Sequence, residues 1–268
     1  MLSIIISSYK PKYFNALEKN IETTIGNIPY EIIKIDNPGK IGICQAYNQG
    51  AEKANYDFFL FLHEDLEFKT QNWGKTLTSS LEHPNIGCIS VAGSNYIPNA
   101  PVGWWFSKSA DFRYLLQNNI DHKTINEDKN VLLVDGVFIA IQKQKYLEFK
   151  FNDNLKGFHA YDVDFSQRVS QKYQNLITSK ILINHFSTGK PDSNWFFDII
   201  KTRENKPATK RIDYYLENVA FVEFCKTLKS FPIPVYKKVY LFFQFLSPKF
   251  LGKKKTIKYL ISEFYQIF

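Results

Sequence analysis

Between residues 2 and 92, short apolar runs alternate with segments of helical spacing, and this rhythm narrows the possible folds more than any other feature of the chain. Residues 2–7 form a β-branched run that reads as a buried strand. Phe14, Leu17, Ile21 and Ile25 then recur at helical spacing over residues 12–26, where Gly26 ends the helix. Residues 30–36 read as a second strand, broken by Asn37-Pro38-Gly39, and residues 43–54 as a helix. A third strand is expected over 57–63, a helix over 72–81 and a fourth strand over 86–92. Strictly alternating strands and helices imply an open, mostly parallel, Rossmann-like α/β sheet with helices on both faces.

The rhythm breaks at residues 93–130, a stretch rich in Asn, Pro and aromatics that includes Trp104-Trp105. It reads as a long insertion over the sheet, of the kind that carries binding residues. A strand over 131–142, a helix over 162–173 and a last strand over 176–186 resume the pattern. Residues 201–210 look like a connection to a basic helical extension, which divides the chain into 1–205 and 206–268.

Composition removes several function classes. With 44% hydrophobic and 16% aromatic residues, disorder is excluded as the general state. Cys44, Cys88 and Cys225 lie far apart, with the spacing of neither a disulfide framework nor a zinc site, which points to a reducing compartment. The first ten residues lack a signal-peptide pattern, and no apolar run approaches the roughly 18 residues needed to span a bilayer. A cytoplasmic protein, or one peripheral on the inner face of the cytoplasmic membrane, is expected. The net charge of +8 is confined to the end of the chain: residues 1–205 hold 22 Lys/Arg and 22 Asp/Glu, residues 206–268 hold 12 and 4. Nucleic acid is disfavoured as the partner of that charge, because no nucleic-acid-binding motif accompanies it.

Ligands of open α/β sheets bind outside the carboxyl ends of the strands. Three successive strands here end in polar residues: Ser7-Ser8-Tyr9, Asp36-Asn37 and His63-Glu64-Asp65. The third is the sharpest, an apolar strand switching abruptly to an acid pair, which suits a hard divalent cation with oxygen ligands. Each group taken alone is equally a solvated turn. The glycine fingerprint of dinucleotide oxidoreductases, the nucleoside-triphosphatase phosphate loop and the serine-hydrolase elbow are all missing.

In order and spacing, these features resemble the family 2 glycosyltransferases of the GT-A fold type, particularly their bacterial members. The matching pieces are Ile4-Ile5-Ile6-Ser7-Ser8-Tyr9, Ile35-Asp36-Asn37, Ala46-Tyr47-Asn48-Gln49-Gly50 and Phe59-Leu60-Phe61-Leu62-His63-Glu64-Asp65. Gly157 to Phe165 and Asn184-His185-Phe186 follow, so the resemblance covers about residues 2–190. It implies a nucleoside-diphosphate sugar, a UDP-sugar above others, held by Ser7, Tyr9, Asp36, Asn48 and Glu64. It implies Mn2+ or Mg2+ on Asp65 and His185, and Asp162 as the base of an inverting transfer. The chain departs from the family pattern at three points. Only the last acid of the usual Asp-x-Asp motif is kept, Pro38-Gly39-Lys40 replaces the usual Ser and second Asp, and the Gln-x-x-Arg-Trp motif of processive synthases is absent. The last departure implies transfer of one sugar at a time.

Other readings of the same residues stand beside these. Asp162 opens a helix, where an Asp equally serves as a cap. Trp104 and Trp105 suit either the core or stacking on an acceptor sugar. Asp135 marks either a strand bulge or an acceptor contact, and Asp164 either a structural or an acceptor-orienting residue. The extension, with aromatics interleaved among Lys237, Lys238, Lys249, Lys253, Lys254, Lys255 and Lys258, fits either an anionic membrane surface or a helical pair packed on the domain. A glycan or lipid-linked acceptor follows from the resemblance. The alternative is a degenerate relative that holds a nucleotide or glycan at the membrane without turnover.

Overall fold

Strand β1 (Leu2–Ser8) lies at the heart of the molecule, its apolar residues buried on both faces, as a parallel strand covered by helices requires. The computed structural model describes residues 1–187, 191–203 and 211–268. Helix α1 (Pro11–Thr24) has proline in its first turn, where the missing N–H costs nothing, and buries Phe14, Leu17 and Ile21. Strand β2 (Tyr30–Asp36) pairs parallel with β1. Helix α2 (Ile43–Lys53) follows, packing so close to β1 that a Cβ on Gly50 would lie 2.3 Å from the Ile5 side chain. Next come β3 (Phe58–Leu62), the short β4 (Leu66–Phe68), α3 (Trp73–Leu81) and β5 (Ile86–Ser90).

The insertion is more regular than its composition indicates. Short strands β6 (Ala92–Ser94), β7 (Asp111–Arg113), β8 (Leu115–Gln117) and β9 (Ile120–Asp121) occupy it, and β10 (Lys129–Val131) closes it. The single strand expected over 131–142 is instead β11 (Leu133–Val134) and β12 (Phe138–Gln142) in separate sheets. The break falls at Asp135-Gly136: the Asp135 carboxylate turns back to accept the Val137 N–H at 2.8 Å, and Gly136 lies directly under the Tyr161 ring. Helix α4 (Lys143–Phe149) and helix α5 (Tyr161–Val169) follow. The last expected strand is likewise two, β13 (Gln174–Ile177) and β14 (Ile183–His185), in different sheets. Between them Asp128 accepts hydrogen bonds from Ser179 and bends the chain away.

The seven-stranded central sheet has the order β10-β13-β5-β12-β3-β1-β2. Strands β1, β2, β3, β5 and β13 run one way, while β12 and β10 run the other. This is the mostly parallel GT-A-type sheet flanked by helices. The small sheets β11-β6-β7 and β4-β14-β8-β9 stand beside it and bring β14 next to the end of β3.

Besides α4, one further helix escapes the periodicity reading, α6 (Ser193–Thr202), capped by the Asp192 carboxylate on Trp195 N. The expected connection over 201–210 lies in part in α6, while residues 204–210 lie outside the described residues. Helices α7 (Tyr214–Ser230), α8 (Val235–Phe245), α9 (Pro248–Leu251) and α10 (Lys253–Ser262) build the extension. They share one apolar cluster with Ala100 and Val102 of the insertion and Phe196 of α6. The extension therefore packs on the rest of the molecule. Among the described residues no helix is long and apolar enough to cross a membrane.

Candidate active site

The loops after β1, β2 and β3 enclose a cavity of about 470 Å³. Asn37 builds its floor: its backbone N–H donates to Ser8 O at 2.7 Å, and its side chain holds Ile41 through two hydrogen bonds. That fixes the Pro38-Gly39 turn, where Gly39 has φ +80°, a conformation glycine adopts without strain. Ser7, Tyr9 and Glu64 line the cavity. The buried Glu64 accepts the backbone N–H groups of Tyr9 and Lys10 at 3.2 and 2.9 Å, so it clamps the loop after β1, while its second oxygen has no partner.

Two residues assigned to the donor by resemblance lie elsewhere. Asp36 is largely exposed, 2.6 Å from Lys34 two residues earlier on the same side of the strand, and does not line the cavity. Asn48 donates to Phe151 O and to Asp153, and accepts from Tyr146 at 2.5 Å. It ties α2 to the loop after α4.

At the inner end of the cavity stand His63, Asp65 and His185. Past β3 the extended chain alternates sides, so His63 and Asp65 face one way and Glu64 the other. Strand β14, antiparallel to β4, brings His185 opposite Leu66 and beside Asp65. One oxygen of Asp65 lies 3.4 Å from His185 Nε2 and 3.9 Å from His63 Nδ1. One ligand atom from each of the three residues falls within 4.8 Å of the others. Among the described residues the buried His185 Nε2 has only the Asp65 carboxylate beside it, at 3.4 Å and without hydrogen-bond geometry, as an atom facing a metal would. Burial opposes ionisation of Asp65, yet the adjacent His185 and His63 hold its carboxyl below the ordinary range. Burial and His185 push the His63 imidazole down, favouring the neutral form that binds metal.

The orientation of His63 is set from behind. The Tyr161 hydroxyl donates to Gly136 O at 3.0 Å and lies 2.7 Å from His63 Nε2. With its hydrogen on Gly136, the hydroxyl accepts from Nε2–H, and the lone pair of His63 is left on Nδ1, toward Asp65. Two imidazoles and a carboxylate fit a divalent cation.

Beyond His185 a second cavity, of about 350 Å³, opens beneath the insertion. Trp104, Trp105, Arg113 and Asp135 line it together with His185. Trp104 Nε1 donates to Asp135 at 3.0 Å, and the Arg113 guanidinium lies over the Trp104 ring. Trp104 is only 7% exposed, whereas Trp105 is 41% exposed and stacks on Trp195. Trp105 thus offers the accessible ring and Trp104 the fixed wall.

Asp162 lines neither cavity but stands next to Gly136, the neighbour of Asp135 in the wall of the second. Its carboxylate accepts the Gly136 N–H at 3.0 Å and the Val163 N–H at 2.9 Å. Burial, followed by the nearby Asp135 carboxylate, raises its pKa to about 7, in the range of a general base working near neutrality. Asp164 points away from the cavities, buried in an ion pair with Arg168 at 2.8 Å.

The structure adds His63 and Tyr161 to the candidate site; the sequence reading leaves the role of His63 open and does not single out Tyr161. The His63–Asp65 spacing of two was the available signal. Nothing local marks Tyr161, whose partners lie 98 and 25 residues away.

Comparison with known proteins gives the family and the fold. A family model described as "Glycosyltransferase like family" matches residues 3–206. The chain is similar in structure to GalNAc-T7 crystallised with UDP, GalNAc and Mn2+, at 13% identity and a TM-score of 0.55, over 99% of this chain and 56% of that one. It spans little more than half of that relative, and at this identity the likeness shows the fold alone. S. aureus TarS 1–349 in complex with UDP-GlcNAc is similar at 10% identity and a TM-score of 0.46, over 99% of this chain and 77% of that one. No curated protein matches the chain.

Proposed function

The chain belongs to the glycosyltransferase-like family, and from that premise we propose that it moves one sugar at a time from a nucleoside-diphosphate sugar, a UDP-sugar above others, to a hydroxyl of a glycan or lipid-linked acceptor, with inversion. The observation that carries the reading is the His63–Asp65–His185 cluster standing where two cavities meet. The first cavity, with Ser7 and Tyr9 on its wall, takes the nucleotide. The second, beside Trp105 and Asp135, takes the acceptor.

Asp65, His185 and His63 would hold Mn2+ or Mg2+. Such an ion neutralises the charge that develops on a leaving diphosphate. Glu64 keeps the loop after β1 closed over the nucleotide by fixing the Tyr9 and Lys10 N–H groups. Asp162 takes the proton of the acceptor hydroxyl, whose oxygen then attacks the anomeric carbon on the face opposite the diphosphate. The C–O bond to the diphosphate breaks as the new glycosidic bond forms. The two N–H groups on Asp162 hold its carboxylate in place for this step. Asp135 positions Trp104.

The reading extends to a bacterial enzyme of surface polysaccharide or glycoconjugate assembly, cytoplasmic and peripheral on the inner membrane face. The charge of residues 206–268 supports that placement. The test is a thermal-shift panel of nucleotide sugars with and without Mn2+, followed by a transfer assay with each donor that stabilises. Mn2+-dependent stabilisation by one donor class and release of its nucleotide are expected. Binding without turnover of any donor would favour a nucleotide- or glycan-holding module instead.

A further inference from the structure

The helices of the extension bury one side against the molecule and leave the other uncovered. On α8, Leu241, Phe242 and Phe245 are buried, whereas Tyr236, Tyr240 and Phe243, at i, i+4 and i+7, are 70, 67 and 52% exposed. Phe243 meets Phe264 at 5.6 Å, and Phe264 in turn meets Tyr265 and the exposed Phe268. The outer side of α8 and the final turn of the chain thus form one aromatic face. On α10, Lys254, Lys258 and Ile261 are exposed at the same i, i+4, i+7 spacing, so basic and apolar groups share one side. The Lys238 ammonium, buried beneath, donates to Ile267 O at 3.1 Å and Lys229 O at 3.3 Å, which holds the final turn against α8. The face is therefore built into the fold.

Exposed tyrosine and phenylalanine beside lysine is the chemistry of a surface that sits at the headgroup level of a bilayer. Residues 231–268 hold seven lysines and one acid, Glu263, which makes the face complementary to anionic lipid and repellent to a second copy of itself. Among the described residues no helix of the extension is long and apolar enough to span a bilayer.

We infer that this face, carried by Tyr236, Tyr240, Phe243, Tyr265 and Phe268, docks on an anionic lipid bilayer, with the lysines of residues 231–268 supplying the attraction, and thereby holds the acceptor cavity at a fixed orientation to that bilayer. The link to the cavity is α7. Its buried Glu217 accepts the Tyr96 hydroxyl and the Asn99 N–H, both at 2.9 Å, and Ala100 and Val102 lie in the apolar cluster of the extension. Those residues lead directly into Trp104 and Trp105. A body docked through α8 and the final turn thus carries the acceptor wall rigidly with it. The orientation rests on the reading of that cavity as the acceptor side, whereas the docking itself does not.

The experiment is sedimentation of the full chain with vesicles of phosphatidylcholine alone and of phosphatidylcholine mixed with phosphatidylserine. The parent should bind the anionic vesicles and not the neutral ones. Replacing Tyr236, Tyr240 and Phe243 together by Ser, all at exposed positions, should weaken binding about tenfold or more, as should Lys254→Glu with Lys258→Glu. Circular dichroism and Mn2+-dependent UDP binding should stay at parental values. Parental binding by the triple variant overturns the inference, as does equal binding of the parent to neutral vesicles. Concentration-dependent self-association without vesicle binding, abolished by the triple variant, would assign the face to a second copy. If the parent binds anionic vesicles but never UDP, the docking stands and the proposed activity falls.

Discussion

The two sides of the site are built by different means. On the side proposed for the nucleotide, Ser7, Asn37, His63 and Asp65 sit where parallel strands end, positioned by backbone pairing within about 65 residues of chain. On the acceptor side, Trp104 is held by Asp135, 31 residues on, and the segment before it is held by Glu217, more than 110 residues on. Pairing thus places the strand-end backbone locally, although His63 takes its orientation from Tyr161, 98 residues on, while the wall of the second cavity depends on packing of the extension.

That contrast is sharpest at the residue between the two sides. The N-cap of α5 is Ala160, so Asp162 lies inside the first turn rather than capping the helix; Asp162→Asn keeps one acceptor oxygen there and should leave folding and nucleotide binding intact while transfer falls about a hundredfold or more. Single-turnover transfer checks this, and a parental rate would make Asp162 only an acceptor for the Gly136 and Val163 N–H groups. On the nucleotide side, Tyr161→Phe removes the hydroxyl that orients His63. Mn2+ affinity measured by calorimetry should fall about 10- to 100-fold with little change in melting temperature, as expected for an outer partner of a metal ligand. Unchanged affinity would mean that His63 is oriented by packing alone.

On the acceptor side, Glu217→Ala leaves the Tyr96 hydroxyl and Asn99 N–H without their partner. It should cost about 1–3 kcal/mol of stability and raise KM for the acceptor while KM for the donor holds. An equal rise in both constants would break the distinction between the two sides. The smallest effect concerns pH. Asp162 works as a base only when ionised, so with its pKa raised to about 7, kcat/KM should climb as pH rises through about 7 and fall away below it. Asp135→Asn removes the neighbouring negative charge and should move that limb to lower pH. A limb that stays in place would mean burial alone sets the value.

The same contrast governs what could be read in the sequence. Residues 30–36 were placed to the residue and β1, β3 and α3 to within one, because their boundaries follow from local apolar runs and breakers. The split between β11 and β12 was foreshadowed only as a bulge at Asp135-Gly136. Its cause is a side-chain bond to Trp104 and a ring lying over Gly136, neither visible in a local window. Helix α6 did carry a signal, Asp192 before an apolar series at helical spacing, which was passed over beside the polar stretch that follows. Asp65, His185 and Asp162 are candidates by their order in the chain, and the structure brings Asp65 and His185 together with His63. Asp36 and Asn48 entered on the same ground, and their side chains turned elsewhere because an ion pair with Lys34 and an interhelical tie claim them. The resemblance leaves the role of His63 open, because only the last acid of the motif is kept; an imidazole at that position offers a metal lone pair just as a carboxylate does.

The central claim is that Asp65, with His63 and His185, holds a divalent ion on which the nucleotide depends. Calorimetric titration of UDP into the parent and into Asp65→Asn, each with and without Mn2+, tests it most directly. Mn2+-dependent UDP binding by the parent, lost in the variant while its circular dichroism is unchanged, is the predicted result. Equal binding of UDP and Mn2+ by both proteins would contradict the account.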